Sequence, residues 1–227
     1  NEFESNMHVK NYQKALAYLN QCIADGTLSI GSRLPTERAL AEKLSISRNS
    51  TREAMRMLEN SGVIESRRGS GNYLVGDLSK SVAQMLQMML LMNQTDKVEI
   101  VEFRRSAEKA ICFSLIALDN CDWVNNVEDM LARKAHNTEE KSQFDKDFHY
   151  ALIEATGNHF WITIMGAIGD TYQSWISEAI DKLSDKEVDK FGINHHELLE
   201  AIKKRDKVAC EKAIDKHYDA VLTIINS

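Results

Sequence analysis

Helix breakers are scarce in this chain: one proline, Pro35, and ten glycines stand among 227 residues. Long stretches without breakers favour helix. Beyond the short polar linker GDLSK (76–80), apolar residues recur at helical steps and no alternating β-pattern competes with them. The periodicity predicts helices over 78–92, 96–118, 121–136, 139–156, 158–181, 185–204 and 206–225. Short polar breaks between them predict an antiparallel bundle of about seven helices spanning residues 78–227. The length accommodates two domains, and a hydrophobic share of 43% supplies a core.

The first third reads differently. The polar NEFESN stretch reads either as non-native residues ahead of Met7, a natural start, or as a frayed arm. Tyr12, Ala15, Leu16, Leu19 and Ile23 then mark a first helix. ADGTLSIGSRLP breaks it, and TERALAEKL follows as a second helix that Thr36 can cap. SIS makes a tight turn into a third helix, which buries Ala54, Met55 and Leu58 and stops at ENSGV. VIESRR-GSG-NYLV alternates apolar and polar residues around a glycine turn, the pattern of a short β-hairpin. Residues 8–76 are therefore expected to form a winged helix-turn-helix, whose second turn-helix element enters the DNA major groove N-terminus first.

The third helix opens with Ser47, Arg48, Asn49, Ser50, Thr51 and Arg52. Small hydroxyls at a helix start bring backbone amides and side-chain donors close to phosphates. Arg48 and Arg52, four apart, share a face, so one can read a guanine edge while the other grips phosphate. Arg38 on the preceding helix is placed for backbone or base, and Arg67, Arg68 and Gly69 stand at the wing tip. The plainer alternative is a solvated polar cap over a core helix. Charge supports the DNA reading. Residues 8–76 hold ten Lys/Arg against six Asp/Glu, a net of +4, whereas 77–227 hold 18 against 26, a net of −8. A basic domain attracts polyanions, and an acidic remainder opposes general stickiness to nucleic acid.

Other classes recede. Cys22, Cys112, Cys121 and Cys210 are scattered without a CxxC pair and read as reduced thiols. The most apolar run, Met85 to Met92, is interrupted by Gln87 and is too short to span a bilayer. No signal stretch opens the chain, so a soluble cytoplasmic protein with no membrane partner is expected. Aromatic and methionine side chains of the helical part, such as Met85, Phe148 and Trp161, read as core or dimer interface rather than a cofactor box.

In FDKDFHYALIEATGN, Asp145 and His149 are four apart on one helical face, about 5–6 Å between Cβ atoms. That spacing lets a carboxylate and an imidazole share a metal, although an isolated Asp-x-x-x-His is commonly a surface pair. His195 in NHHELLEAI and His217 in DKHYDAV complete one Asp and three His, a set suited to Zn²⁺, Ni²⁺ or Mn²⁺.

The stretch GSRLPTERALAEKLSISRNSTREAMRMLENSGVIESRRGSGNYLV closely resembles the DNA-binding domain of the GntR family of bacterial transcription regulators. Thr36, Ile46 and Thr51 depart mildly from the family pattern, away from the expected DNA contacts. By this resemblance the contacts fall on Arg38, Ser47, Arg48, Asn49, Ser50, Arg52, Arg68 and Gly69. Asn49 and Arg68 occupy variable positions that would tune the operator sequence. Residues 78–225 resemble the FCD effector domain of the FadR subfamily, through EFRRSAE, DKDFHYALIEATGN and HHELLEAIKKRDKVACEKAIDKH. The resemblance implies metal ligands at Asp145, His149, His195 and His217, with His196 as substitute for His195. Some members lack a metal. The resemblance also places an effector-binding arginine at Arg104, with Arg105 the alternative; structurally, Arg104 would otherwise make a helix-surface ion pair with Glu108. A guanidinium–carboxylate fork supplies the chemistry, so a small carboxylic acid is the effector class implied.

These readings combine into a homodimeric repressor that grips a near-palindromic operator in double-stranded DNA and is controlled by a carboxylate at a metal site, zinc first. A structural metal, a metal-free effector pocket and a metal-dependent hydrolase are the rivals.

Overall fold

The computed structural model describes residues 2–119, 121–133, 137–180 and 185–225. They form two compact units, Asn1–Ser81 and Val82–Ser227. Among the described residues there are ten helices and one two-stranded antiparallel sheet.

In the first unit, α1 (Glu2–Ala24), α2 (Glu37–Leu44) and α3 (Arg48–Asn60) precede β1 (Ile64–Arg67) and β2 (Gly71–Leu74). The expected frayed arm is instead the start of α1, because nothing between Glu2 and Ala24 breaks a helix. Each short helix has a local reason to begin where it does. Thr36 accepts the Ala39 amide at 3.2 Å and starts α2. Ser45 turns left-handed (φ 53°) and ends α2, and Ser47 accepts the Ser50 amide at 3.1 Å and starts α3. Thr51 is fully buried, and its hydroxyl donates to the Glu37 carbonyl at 3.2 Å and the Arg48 carbonyl at 2.8 Å. It fixes the start of α3 against the start of α2.

The hairpin pairs Ile64 with Leu74 and Arg67 with Gly71. The chain before α2 lies along its other edge: the Leu34 amide donates to the Asn72 carbonyl at 2.8 Å, and the Leu74 amide to Ser32 at 2.9 Å. Leu19, Leu34, Leu40, Ala54, Met55, Leu58, Ile64 and Leu74 meet in one small core. Gly62, at φ +73°, closes the passage from α3 to the hairpin; a Cβ there would collide with the Asp77 carbonyl.

The second unit is helical: α4 (Ser79–Leu91, which begins in the first unit), α5 (Lys97–Ala117), α6 (Trp123–Leu131), α7 (Thr138–Ala155), α8 (His159–Ile180), α9 (Asp185–Lys203) and α10 (Lys207–Ile225). The expected helix over 121–136 is shorter, and 134–136 lie outside the described residues. Asp96 and Asn137 cap α5 and α7 by accepting amides three residues on, at 2.9 and 2.8 Å. Helix α10 packs on α9 and α5, while α7 packs on α8 and α5. Val101, Ile111, Phe148, Met165, Tyr172, Ile214, Tyr218 and Val221 fill the centre at 2% exposure or less. No helix of the described residues is long and apolar enough to cross a membrane.

Candidate functional site

Two surfaces of different character carry the candidate residues. The first is the exposed start of α3 with its neighbours. Ser47, Arg48, Asn49 and Arg52 are exposed there, and Arg38 is exposed on α2. Arg68 and Gly69 form the hairpin turn, also exposed, with Gly69 at φ +74°. Ser50 is placed differently: it is 1% exposed, and its hydroxyl lies 2.8 Å from that of Ser47. It serves the helix start rather than the outer face. Arg52 is already aimed, since its Nε donates to Glu37 Oε2 at 3.1 Å. Arg38 stands 3.8 Å from Glu42, both largely exposed, a loose pair of small energetic weight.

The hairpin's outer face brings together residues that the sequence alone does not group. Arg67 donates to Glu65 at 2.8 Å and lies over the Tyr73 ring at 4.4 Å. Arg33 rests its guanidinium against Gly71, where a Cβ would stand 3.0 Å from Arg33 Nε. Alternation along β1 and β2 is the signal that puts Glu65, Arg67, Gly71 and Tyr73 on one side.

The second surface is internal. Asp145 and His149 on α7, His195 on α9 and His217 on α10 converge, with one ligand atom from each lying within 4.8 Å of the others. All four are at most 7% exposed. His195 is the member of the His195–His196 pair that enters the cluster; His196 is exposed. Asp145 Oδ1 lies 3.2 Å from His195 Nε2, 3.6 Å from His149 Nε2 and 4.0 Å from His217 Nε2. Metal–ligand bonds of about 2.0–2.1 Å set neighbouring ligand atoms roughly 3–3.4 Å apart. The His195–Asp145 pair already has that spacing, and the wider separations, up to 4.8 Å, would have to close around a divalent ion. His149 Nε2 and His195 Nε2 are buried and have no hydrogen-bond partner among the described residues, a costly arrangement that a metal would resolve. The Phe148 ring stacks on His195 at 4.3 Å and fixes its plane.

Arg104 and Glu108 on α5 flank the cluster. Arg104 Nη2 donates to Glu108 Oε1 at 3.0 Å, Nε donates to the Tyr218 hydroxyl at 3.3 Å, and the guanidinium lies over the Tyr172 ring at 4.3 Å. The ion pair weighed as the plainer alternative for Arg104 does form, but it is buried rather than on the surface, both members 3% exposed. Arg105 is instead part of a peripheral network with Asp219 at 2.7 Å. Glu108 Oε2 faces His149 Nδ1 at 2.8 Å. Asn194 carries no signal in the sequence; its side chain is buried and lines the narrow pocket beside His149, His195 and His217.

Electrostatics in this interior are strongly coupled. Burial alone would raise Glu108, but His149 and then Arg104 hold its carboxyl down at about 2. Burial opposes the charged form of Asp145, yet His149 and His195 keep it well below the usual carboxylate range. His149 is lifted to about 9, because Glu108 and Asp145 outweigh the effect of burial. His217 is pushed down to about 3 by burial and by the neighbouring His149, and burial lowers His195 as well. Two neutral imidazoles beside a carboxylate are ready metal ligands.

Residues 11–74 match the family described as "Bacterial regulatory proteins, gntR family", and residues 99–220 match the FCD domain. The chain is 30% identical to the Uxu operon transcriptional regulator of Escherichia coli (strain K12), over 92% of this chain and 84% of that protein. It is 28% identical to the Uxu operon regulator of Haemophilus influenzae, over 93% of this chain and 80% of that protein. Among solved structures, Streptococcus agalactiae GntR shares the fold with a TM-score of 0.67, at 22% identity, over 92% of this chain and 98% of that one.

Proposed function

The chain belongs to the gntR family of bacterial regulatory proteins and carries an FCD domain, and from that premise we propose that it is a metal-dependent sensor of a small carboxylate. That it is a DNA-binding transcription regulator, not an enzyme, follows from the family and its relatives. The proposal concerns the control. The chain acts in the cytoplasm as a homodimer and represses by gripping a near-palindromic operator, since two-fold protein symmetry implies two-fold operator symmetry. Arg38, Ser47, Arg48, Asn49, Arg52, Arg68 and Gly69 are the proposed contacts, with Ser50 supporting the start of α3 from within.

The observation that carries the proposal is the buried set Asp145, His149, His195 and His217. Zinc is the proposed ion, with nickel or manganese the alternatives for this donor set. The metal would supply a positive centre to which an oxygen ligand can bind. Charge counting supports an anion there. Metal binding displaces the His149 proton, and with the histidines then neutral the carboxylates of Asp145 and Glu108 contribute −2, Arg104 +1 and a divalent ion +2. The remainder, +1, is buried and calls for a counter-charge. A carboxylate fits, and Arg104 has Nη1 free of the bonds that Nε and Nη2 make to Tyr218 and Glu108. The burial of all four ligands favours one second reading, a closed structural metal with constitutive DNA binding.

Operator affinity of zinc-loaded protein, titrated against a panel of small mono- and dicarboxylates, separates the two. At least one acid should change affinity by roughly 5–150-fold, the usual range for coupled sites. Affinity that no acid changes would support the structural metal instead.

A further inference from the structure

We propose that Glu108 is the outer carboxylate of the metal centre, holding His149 with Nε2 turned to the ion and joining that ligand to Arg104. The inference rests on the metal reading above and adds a positioning residue to it.

Glu108 divides its two oxygens between two elements. Oε1 accepts from Arg104 Nη2, one turn earlier on α5, at 3.0 Å. Oε2 faces His149 Nδ1 on α7 at 2.8 Å. Oε2 and Nδ1 are both buried and face each other, while the Tyr218 hydroxyl also bonds to the Glu108 carboxylate. An imidazole that gives its Nδ1–H to a carboxylate presents a bare Nε2 for ligation. His149 Nε2 is the atom that lies 3.6 Å from Asp145 Oδ1, inside the cluster.

A buried carboxylate needs a counter-charge, and Arg104 supplies it. Arg104 is in turn fixed by the Tyr218 hydroxyl and the Tyr172 ring. The result is a chain of fixed groups running from Tyr172 and Tyr218 through Arg104 and Glu108 to His149. His195 has a support of another kind, stacking on the Phe148 ring. The orientation and basicity of His149 thus depend on a full charge, and that charge is shared with the arginine proposed to meet the effector.

The test is Glu108→Gln, which keeps the size of the side chain and removes its charge. Zinc affinity, measured by competition with a chromophoric chelator, should fall about 10–100-fold, the usual cost of losing an outer-shell partner. The absorption spectrum of the cobalt-substituted protein should shift with it. A carboxylate that merely stabilises the bundle would lower the melting temperature of the metal-free protein and leave zinc affinity alone. Wild-type zinc affinity in Glu108→Gln overturns the inference, whatever the melting temperature. If Glu108→Gln does not fold, Glu108→Asp withdraws the carboxylate from Nδ1 while keeping its charge, and unchanged affinity there has the same force. Wild-type protein that binds no zinc would overturn the metal reading itself, which a silent Glu108 substitution alone would not.

Discussion

The two units place their functional side chains in opposite ways. In the first, the scaffold is buried and the function is outside: Thr51 and Ser50 sit in the interior so that Arg48, Asn49 and Arg52 stand in solvent. In the second, the function is itself the interior, with Asp145, His149, His195, His217, Arg104 and Glu108 each at most 7% exposed. Exposed cations paired loosely, as Arg38 is with Glu42, exchange partners at little cost. Buried charges cannot, because each lost partner leaves an uncompensated charge in a low-dielectric interior. Under the proposed function, one unit would meet a polyanion that arrives from outside, and the other would register the arrival of a single ion or acid.

The sharpest way to break this contrast is to remove an interior ligand. His195→Ala or His217→Ala should lower metal affinity more than the roughly 10–100-fold cost of an outer-shell change, with operator binding of the metal-free protein retained. Metal content after dialysis, alongside a DNA-binding isotherm, checks both halves. Unchanged metal content would remove that residue from the ligand set.

At Arg48, on the outer surface, the effect should be confined to DNA. Arg48→Ala should weaken operator binding by about 1–3 kcal/mol for each base that the arginine reads, with metal content unaltered. Wild-type affinity in that variant, measured by fluorescence anisotropy, would displace α3 as the reading element. Ser47→Ala removes a proposed DNA contact and the cap of α3 together, and the cap is read separately in the absence of DNA. Loss of the side-chain cap at the start of α3 should cost about 1 kcal/mol of stability in chemical denaturation. Least of all, Glu42→Gln should leave stability unaltered within measurement, because its partner Arg38 is 3.8 Å away and the pair is open to solvent. A clear loss there would mean that the outer surface is less loosely paired than the contrast requires.

The same contrast explains what the sequence made legible. The first unit is local: caps at Thr36 and Ser47, the stop after Asn60 and the Arg67–Gly71 turn each lie within a few residues of the element they define. Continuous motifs of this kind can be read directly, and the resemblance to a known family added the proposed DNA contacts. What could not be read was side-chain direction at a single position. Ser50 looks like one more hydroxyl at the start of α3, but it turns inward to share the cap with Ser47.

The helical unit was legible as helices, because long segments without breakers have a strong period. Its centre was less so. Asp145 and His149 announce themselves by four-residue spacing, but His195 and His217 reach them only through the packing of α7, α9 and α10. Spacing along one helix says nothing about which other helix faces it. Arg104 and Glu108 show the limit most clearly. A four-residue pair of opposite charge on a helix reads as a surface pair, and only burial reveals that its carboxylate also faces His149.

The most direct test of the central claim is native mass spectrometry of wild-type protein purified without chelator. The expected result is a dimer carrying about one divalent ion per chain, with the added mass of a small acid on the metal-bearing species. A dimer with no bound metal would contradict it, and would reduce Asp145, His149, His195 and His217 to the polar lining of a metal-free pocket.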